Sequence, residues 1–173
     1  ALPISIRTKL GPPLSGLPFK LTRTQTRDLF SLQWFPDTIH KNINQFQPDV
    51  INLHWICNGF MQIETLKSIQ QPLVWTLHDM WPFTGGCHYS KDCEGYTVSC
   101  GSCPQLHPNK QDDLSRWVWS RKRKAWQSLN LTIVTPSRWL ANCAASSSLF
   151  RGLRVEAIPY GINIEQYRPL PQA

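Results

Sequence analysis

Pro72-Leu-Val-Trp-Thr-Leu-His78-Asp79 is the stretch that decides the fold. Pro72 opens an apolar run of branched, aromatic and aliphatic residues, and polar His78 closes it. Such a run is too short for a packed helix and has the length of a buried strand. The same pattern recurs in Asp49-Val-Ile-Asn-Leu-His54 after Pro48, in Leu131-Thr-Ile-Val-Thr135 before Pro136, and in Leu153-Arg-Val-Glu-Ala-Ile158 before Pro159. Between these runs the apolar spacing is helical. Ile39, Ile43 and Phe46 follow Pro36; Phe60, Ile63, Leu66 and Ile69 form a second set; Leu114, Val118, Ala125 and Leu129 form a third. Ser137 can cap a fourth helix running through Phe150. Strands of four to six residues alternating with helices predict an α/β fold with a mainly parallel sheet flanked by helices. In such sheets ligands gather at the carboxyl ends of the strands. His54, His78 and the Thr135-Pro136-Ser137 corner all fall at that edge.

The surrounding composition sets limits. The chain has 173 residues, 41% of them hydrophobic, which fits one domain with a real core and argues against disorder. No apolar run approaches the roughly 20 residues of a membrane-spanning helix. A net charge of +7 favours anionic partners without deciding function. Residues 1–20, rich in Pro, read as irregular; so does a long segment over 79–112. No signal-peptide pattern opens the chain, and no Walker, G-x-G-x-x-G, H-E-x-x-H or G-x-S-x-G element occurs.

Chemistry is expected first at His78 and Asp79. An imidazole at a strand end can accept or orient a hydroxyl proton, and a carboxylate beside it can hold its tautomer or bind the same acceptor. His54-Trp55 repeats the placement on the preceding strand. Trp55 and Trp81 are candidate walls for a sugar ring, although most of the eight Trp are expected to fill core. Arg121 falls within the apolar stripe of its helix, either snorkelling or aimed at the cleft, while Lys122 and its basic neighbours read as a solvated face.

Cys87, Cys93, Cys100 and Cys103 form a separate cluster, spaced x5, x6 and x2, with His88 and His107 nearby. Four thiolates could satisfy a structural tetrahedral zinc, and Cys100-Gly-Ser-Cys103 has knuckle spacing; two disulfides or free thiols account for the same residues. A basic four-cysteine zinc module binding nucleic acid and a non-catalytic carbohydrate-binding domain are the alternative functions for this composition.

Five segments carry a more specific signal: Asp49–Trp55, Trp75-Thr-Leu-His-Asp-Met-Trp-Pro-Phe-Thr-Gly-Gly-Cys87, Cys100-Gly-Ser-Cys-Pro-Gln-Leu106, Val134-Thr-Pro-Ser-Arg-Trp-Leu140 and Ile158-Pro-Tyr-Gly-Ile-Asn163. Together they resemble the amino-terminal half of a retaining family-four glycosyltransferase of the kind that builds bacterial exopolysaccharide or cell-envelope glycans. The resemblance covers roughly residues 48–169. It implies a GT-B architecture, in which a Rossmann-like acceptor-side domain (here 21–169, with 170–173 starting a linker) faces a second domain that binds the nucleotide-sugar donor. It further implies that His78 faces the reacting sugars, that His54, Trp55 and Asn58 line the acceptor side, and that Ser137 and Arg138 form a corner of the cleft. No cofactor is required for catalysis in that class, so any zinc would be structural.

The implied partners are a glycan or lipid-linked acceptor, the carboxy-terminal donor domain and an anionic membrane surface, with no nucleic acid. The implied location is cytoplasmic, peripheral to the inner face of the plasma membrane. Residues 1–20 lack the family's usual opening strand and Gly-rich loop, and no donor domain follows Ala173. The chain therefore reads as a fragment that should not turn over alone.

Overall fold

A computed structural model describes residues 14–22, 24, 26, 28–106 and 111–169. Its centre is a four-stranded parallel sheet in the order β1 (Ile51–Leu53), β2 (Leu73–Thr76), β3 (Leu131–Thr135) and β4 (Arg154–Ala157). The register sets Leu53 beside Trp75, Trp75 beside Ile133, and Ile133 beside Val155. All four strands therefore deliver their next residues to one edge, as the sequence pattern predicts. β3 coincides with its apolar run, whereas β1, β2 and β4 are shorter than theirs. β2 and β3 are the enclosed strands, with Leu73, Trp75, Leu131, Ile133 and Thr135 buried. β4 is an exposed edge strand whose Arg154 and Glu156 pair with each other at 2.9 Å.

Helices α1 (Leu17–Leu21), α2 (Ile39–Phe46), α3 (Leu114–Trp126) and α4 (Arg138–Ser146) accompany the sheet. Helix α1 corrects the expectation of irregular chain throughout 1–20; the rest of that stretch before residue 14, like 170–173, lies outside the described residues. The expected helix over 60–69 is a 3-10 segment, Ile63–Ser68. Asn58 and Gly59 at φ 56° and 73° turn the chain before it. Helix α4 begins at the Ser137 cap, whose Oγ accepts from the Leu140 N–H at 3.2 Å. It stops at Ser146 because extended Ser147 closes a turn instead, donating to the Ala144 carbonyl and accepting from the Phe150 N–H.

The core is aromatic. Trp75 packs edge-on against Trp126 at 5.2 Å, and Trp81 and Phe150 close on the same pair. Helix α3 is pinned across this cluster by Arg121, which donates to Glu64 at 2.6 and 2.7 Å and to the Leu32 and Gln33 carbonyls at 2.9 Å. Arg121 is thus a strut between α3 and the 3-10 segment, and neither a snorkelling side chain nor a cleft cation.

Candidate active site

His54 follows β1 and His78 follows β2, so the parallel register brings them side by side at the carboxyl edge. Their rings stack at 5.2 Å between centroids, and His54 Nδ1 lies 2.9 Å from His78 Nε2. Tyr160, beyond β4, reaches the same point: its hydroxyl is hydrogen-bonded to His78 Nδ1 and its ring stacks on the imidazole at 5.9 Å. His54, His78 and Tyr160 are all exposed, so the three form one polar array open to solvent. Both ring nitrogens of His78 are occupied by protein partners, and a sugar hydroxyl could reach it only by displacing one. The sequence reading missed Tyr160. Its signal was the Ile158-Pro-Tyr-Gly segment, which leaves β4 at the same edge.

Asp79 turns the other way. Its buried carboxylate accepts from the Trp81 N–H at 2.9 Å and from Trp55 Nε1 at 3.1 Å, and it holds His88 Nδ1 at 2.7 Å. His88 in turn contacts Ser31 Oγ at 2.9 Å through Nε2. The expected partnership between Asp79 and His78 is absent, because the 3-10 turn Trp81–Phe83 begins there and draws the carboxylate inward. Asp79 organises the loop and sets the tilt of Trp55, which stays 45% exposed at the rim.

Trp81 is also corrected. It is 1% exposed and fills core, with its indole N–H donated to the Ser31 carbonyl at 2.8 Å, so it walls no ligand. The pocket bounded by His54, Trp55, His78, Asp79 and Trp81 has only ≈ 10 Å³ of space, about one water. A sugar would have to bind above the His pair rather than below it. Asn58 is exposed in the turn after β1 and Ser137 in the turn after β3, with β2 between them, and Arg138 is exposed with no ion pair among the described residues.

Lys122 is the buried residue that the sequence concealed. Placed on a helix face read as solvated, it is 0% exposed. Its Nζ lies 3.6 Å from the Trp81 ring centre, donates to the Thr84 carbonyl at 3.0 Å and also donates to the Trp81 carbonyl. Burial lowers its pKa to about 7, against the pull of nearby Cys57, Cys100, Cys87 and Asp79.

The four loop cysteines face one small cavity of ≈ 20 Å³, together with Thr84, Gly85 and Ser115. None is paired in a disulfide, and no set of three or more metal-ligating side chains among the described residues is placed to hold an ion. The tetrahedral site expected from spacing is therefore not formed as the thiols stand. Burial pushes Cys100 and Cys103 up to about 12 and raises Cys87, which keeps them protonated at neutral pH.

Order in this loop comes from other contacts. Asp113 caps α3 and also accepts from the Cys103 N–H at 2.6 Å. The Ser31 N–H donates to the Gly86 carbonyl at 2.9 Å, where a Cβ on Gly86 (φ 122°) would meet the Phe30 ring at 2.3 Å. The loop is thus packed onto the sheet domain, which removes support from the zinc-module reading for nucleic acid.

The model of Glycosyltransferase Family 4 matches residues 9–166. The chain belongs to that family. A relative is the putative colanic acid biosynthesis glycosyl transferase WcaC of Escherichia coli K12, 34% identical over 158 residues. That alignment covers 83% of this chain and 38% of the relative, so the chain spans well under half of its length. No solved structure matches. As a Family 4 domain, the parallel sheet fits the Rossmann-like α/β class that the sequence suggests. No helix among the described residues is long and apolar enough to cross a membrane.

Proposed function

We propose that this chain is the acceptor-side domain of a retaining glycosyltransferase that moves a hexose from a nucleotide-sugar donor to a glycan or lipid-linked acceptor in exopolysaccharide synthesis. The donor-binding half lies outside these 173 residues, and the isolated chain transfers no sugar. The observation that supports this reading best is the hydrogen-bonded array His54–His78–Tyr160 at the carboxyl edge of the sheet.

The array can run in two directions. If Tyr160 donates to His78 Nδ1, His78 donates through Nε2 to His54 Nδ1, and His54 Nε2 presents an N–H outward. If every proton shifts the other way, His54 Nε2 presents a lone pair and Tyr160 presents its O–H. The His54 end of the array can thus either donate to a sugar oxygen or accept from a hydroxyl without placing a net charge on the pair, while Tyr160 holds His78 Nδ1 until an acceptor displaces it. Its role is to orient the reacting hydroxyls, with Trp55 as a flat rim at one side. Ser137, Arg138 and Asn58 extend the same acceptor face.

The test is transfer by the full-length parent. His78→Ala should lower the rate on the order of 10²-fold while leaving the fold intact, as expected for loss of a positioning group at the reacting centre. An unchanged rate, or turnover by the 173-residue chain alone, would defeat the assignment.

A further inference from the structure

We infer that a cleft at the opposite edge of the sheet binds a phosphate group. The cleft has ≈ 290 Å³ of space and is lined by Thr97, Val98, Trp119, Arg123, Ser148 and Arg151. Its place follows from the topology. Arg123 lies in the last turn of α3, which leads into the amino end of β3, and Ser148 and Arg151 lie in the turn that leads into the amino end of β4. It therefore lies across the sheet from His54 and His78 and belongs to a ligand other than the reacting sugars.

Two exposed cations stand in its walls, each with one contact to the protein. The Arg123 guanidinium lies 5.2 Å from the Trp119 ring centre, and Arg151 is steadied by a 3.2 Å bond from Nη2 to the Thr97 carbonyl. Neither has a carboxylate partner among the described residues. The other side-chain donors in the lining are already committed. Trp119 Nε1 donates to Ser148 Oγ at 3.1 Å, Ser148 donates to the Tyr96 carbonyl at 2.9 Å, and Thr97 donates to the Glu94 carbonyl at 2.9 Å. The uncommitted donors are thus guanidinium N–H groups, which no neutral sugar requires in pairs and which match the oxygens of a phosphate. The net charge of +7 adds attraction at longer range.

Phosphate on a lipid headgroup and phosphate on a soluble molecule share this chemistry, and the experiment separates them. The 173-residue chain is titrated with inorganic phosphate, followed by ³¹P line broadening, and is co-sedimented with vesicles of phosphatidylglycerol or of phosphatidylcholine. Arg123→Gln/Arg151→Gln should weaken phosphate or phosphatidylglycerol binding at least tenfold. Arg123→Lys/Arg151→Lys should restore part of it, and circular dichroism should show every variant folded. Binding to phosphatidylglycerol alone identifies a lipid headgroup, and binding to free phosphate identifies a soluble ligand. Absence of both, equal binding to phosphatidylcholine, or unchanged binding by the Gln pair would overturn the inference.

Discussion

His78 and Asp79 are neighbours in sequence and belong to different regions of the molecule. His78 stands in solvent at the sheet edge, joined to His54 and Tyr160 by side-chain hydrogen bonds. Asp79 is buried in a polar knot with Trp55, His88 and the Trp81 backbone, and Lys122 is buried against the same Trp81. The open region offers its polar groups to solvent. The closed region ties its polar groups to one another inside the fold. A dipeptide that reads as one catalytic pair is therefore two devices, separated by the direction in which a single 3-10 turn begins.

The sharpest way to break this division is Asp79→Ala. It leaves the Trp55 and Trp81 N–H groups and one nitrogen of His88 without their acceptor inside the protein. Losing a buried charged hub of that kind costs about 3–5 kcal/mol. The urea midpoint should fall accordingly, with transfer by the parent enzyme largely kept at temperatures where the variant remains folded. A variant of native stability that has lost transfer would move Asp79 into the chemistry.

His78→Ala is the complement. An exposed side chain away from the core changes stability by about 0.5 kcal/mol or less. The predicted 10²-fold loss of transfer should therefore come with an unchanged urea midpoint. If the midpoint falls with the rate, His78 is a structural residue and the contrast with Asp79 disappears.

Lys122 gives the contrast a pH dependence. Its folded pKa of about 7 lies below the ~10.4 of an unfolded lysine, so between these values the unfolded chain carries more of this proton. Stability from this group must then rise from pH 7 towards pH 10, by at most about 1.4 kcal/mol per pH unit. Below pH 7 both states are protonated and the slope vanishes. Urea midpoints at pH 7 and 9 for the native chain and Lys122→Met should differ in slope, the native chain gaining on the variant at the higher pH. A native midpoint that falls against Lys122→Met over that interval would mean that the two carbonyls and the Trp81 face hold the charge in place more strongly than burial disfavours it.

Much of this was legible in the residues, for a physical reason. Strand positions were readable because Val, Ile, Leu and Trp runs bounded by proline have few ways to be buried, and parallel pairing then fixes which edge His54 and His78 share. Lys122 was not legible, since a lysine's place on a basic helix depends on whether another element roofs it, and the 81–84 turn that does so comes from forty residues away. Asp79 and Trp81 escape a sequence reading for the same reason: side-chain direction at a turn is settled by contacts with Ser31, His88 and Thr84. The cysteine spacing suggested a cross-link because the loop lacks long elements of its own. What orders it is carboxylate and lysine bonding to backbone, which leaves no periodic trace in sequence.

The smallest effect belongs to Tyr160, and it tests how the open region works. Its hydroxyl occupies His78 Nδ1, yet the residue is 58% exposed on the segment past β4. An acceptor hydroxyl that needs this nitrogen must displace Tyr160 and give back one hydrogen bond, worth about 0.5–1.5 kcal/mol net. Tyr160→Phe removes that competition and keeps the ring stacked on the imidazole. In the full-length parent the variant should bind acceptor about two- to tenfold more tightly, seen as a lower KM, with kcat changed by less than about threefold. Stability should move by about 0.5 kcal/mol or less, as for other exposed positions. A loss of kcat as deep as that of His78→Ala would give the opposite answer: Tyr160 is then a working end of the array, and the proton must pass through its hydroxyl.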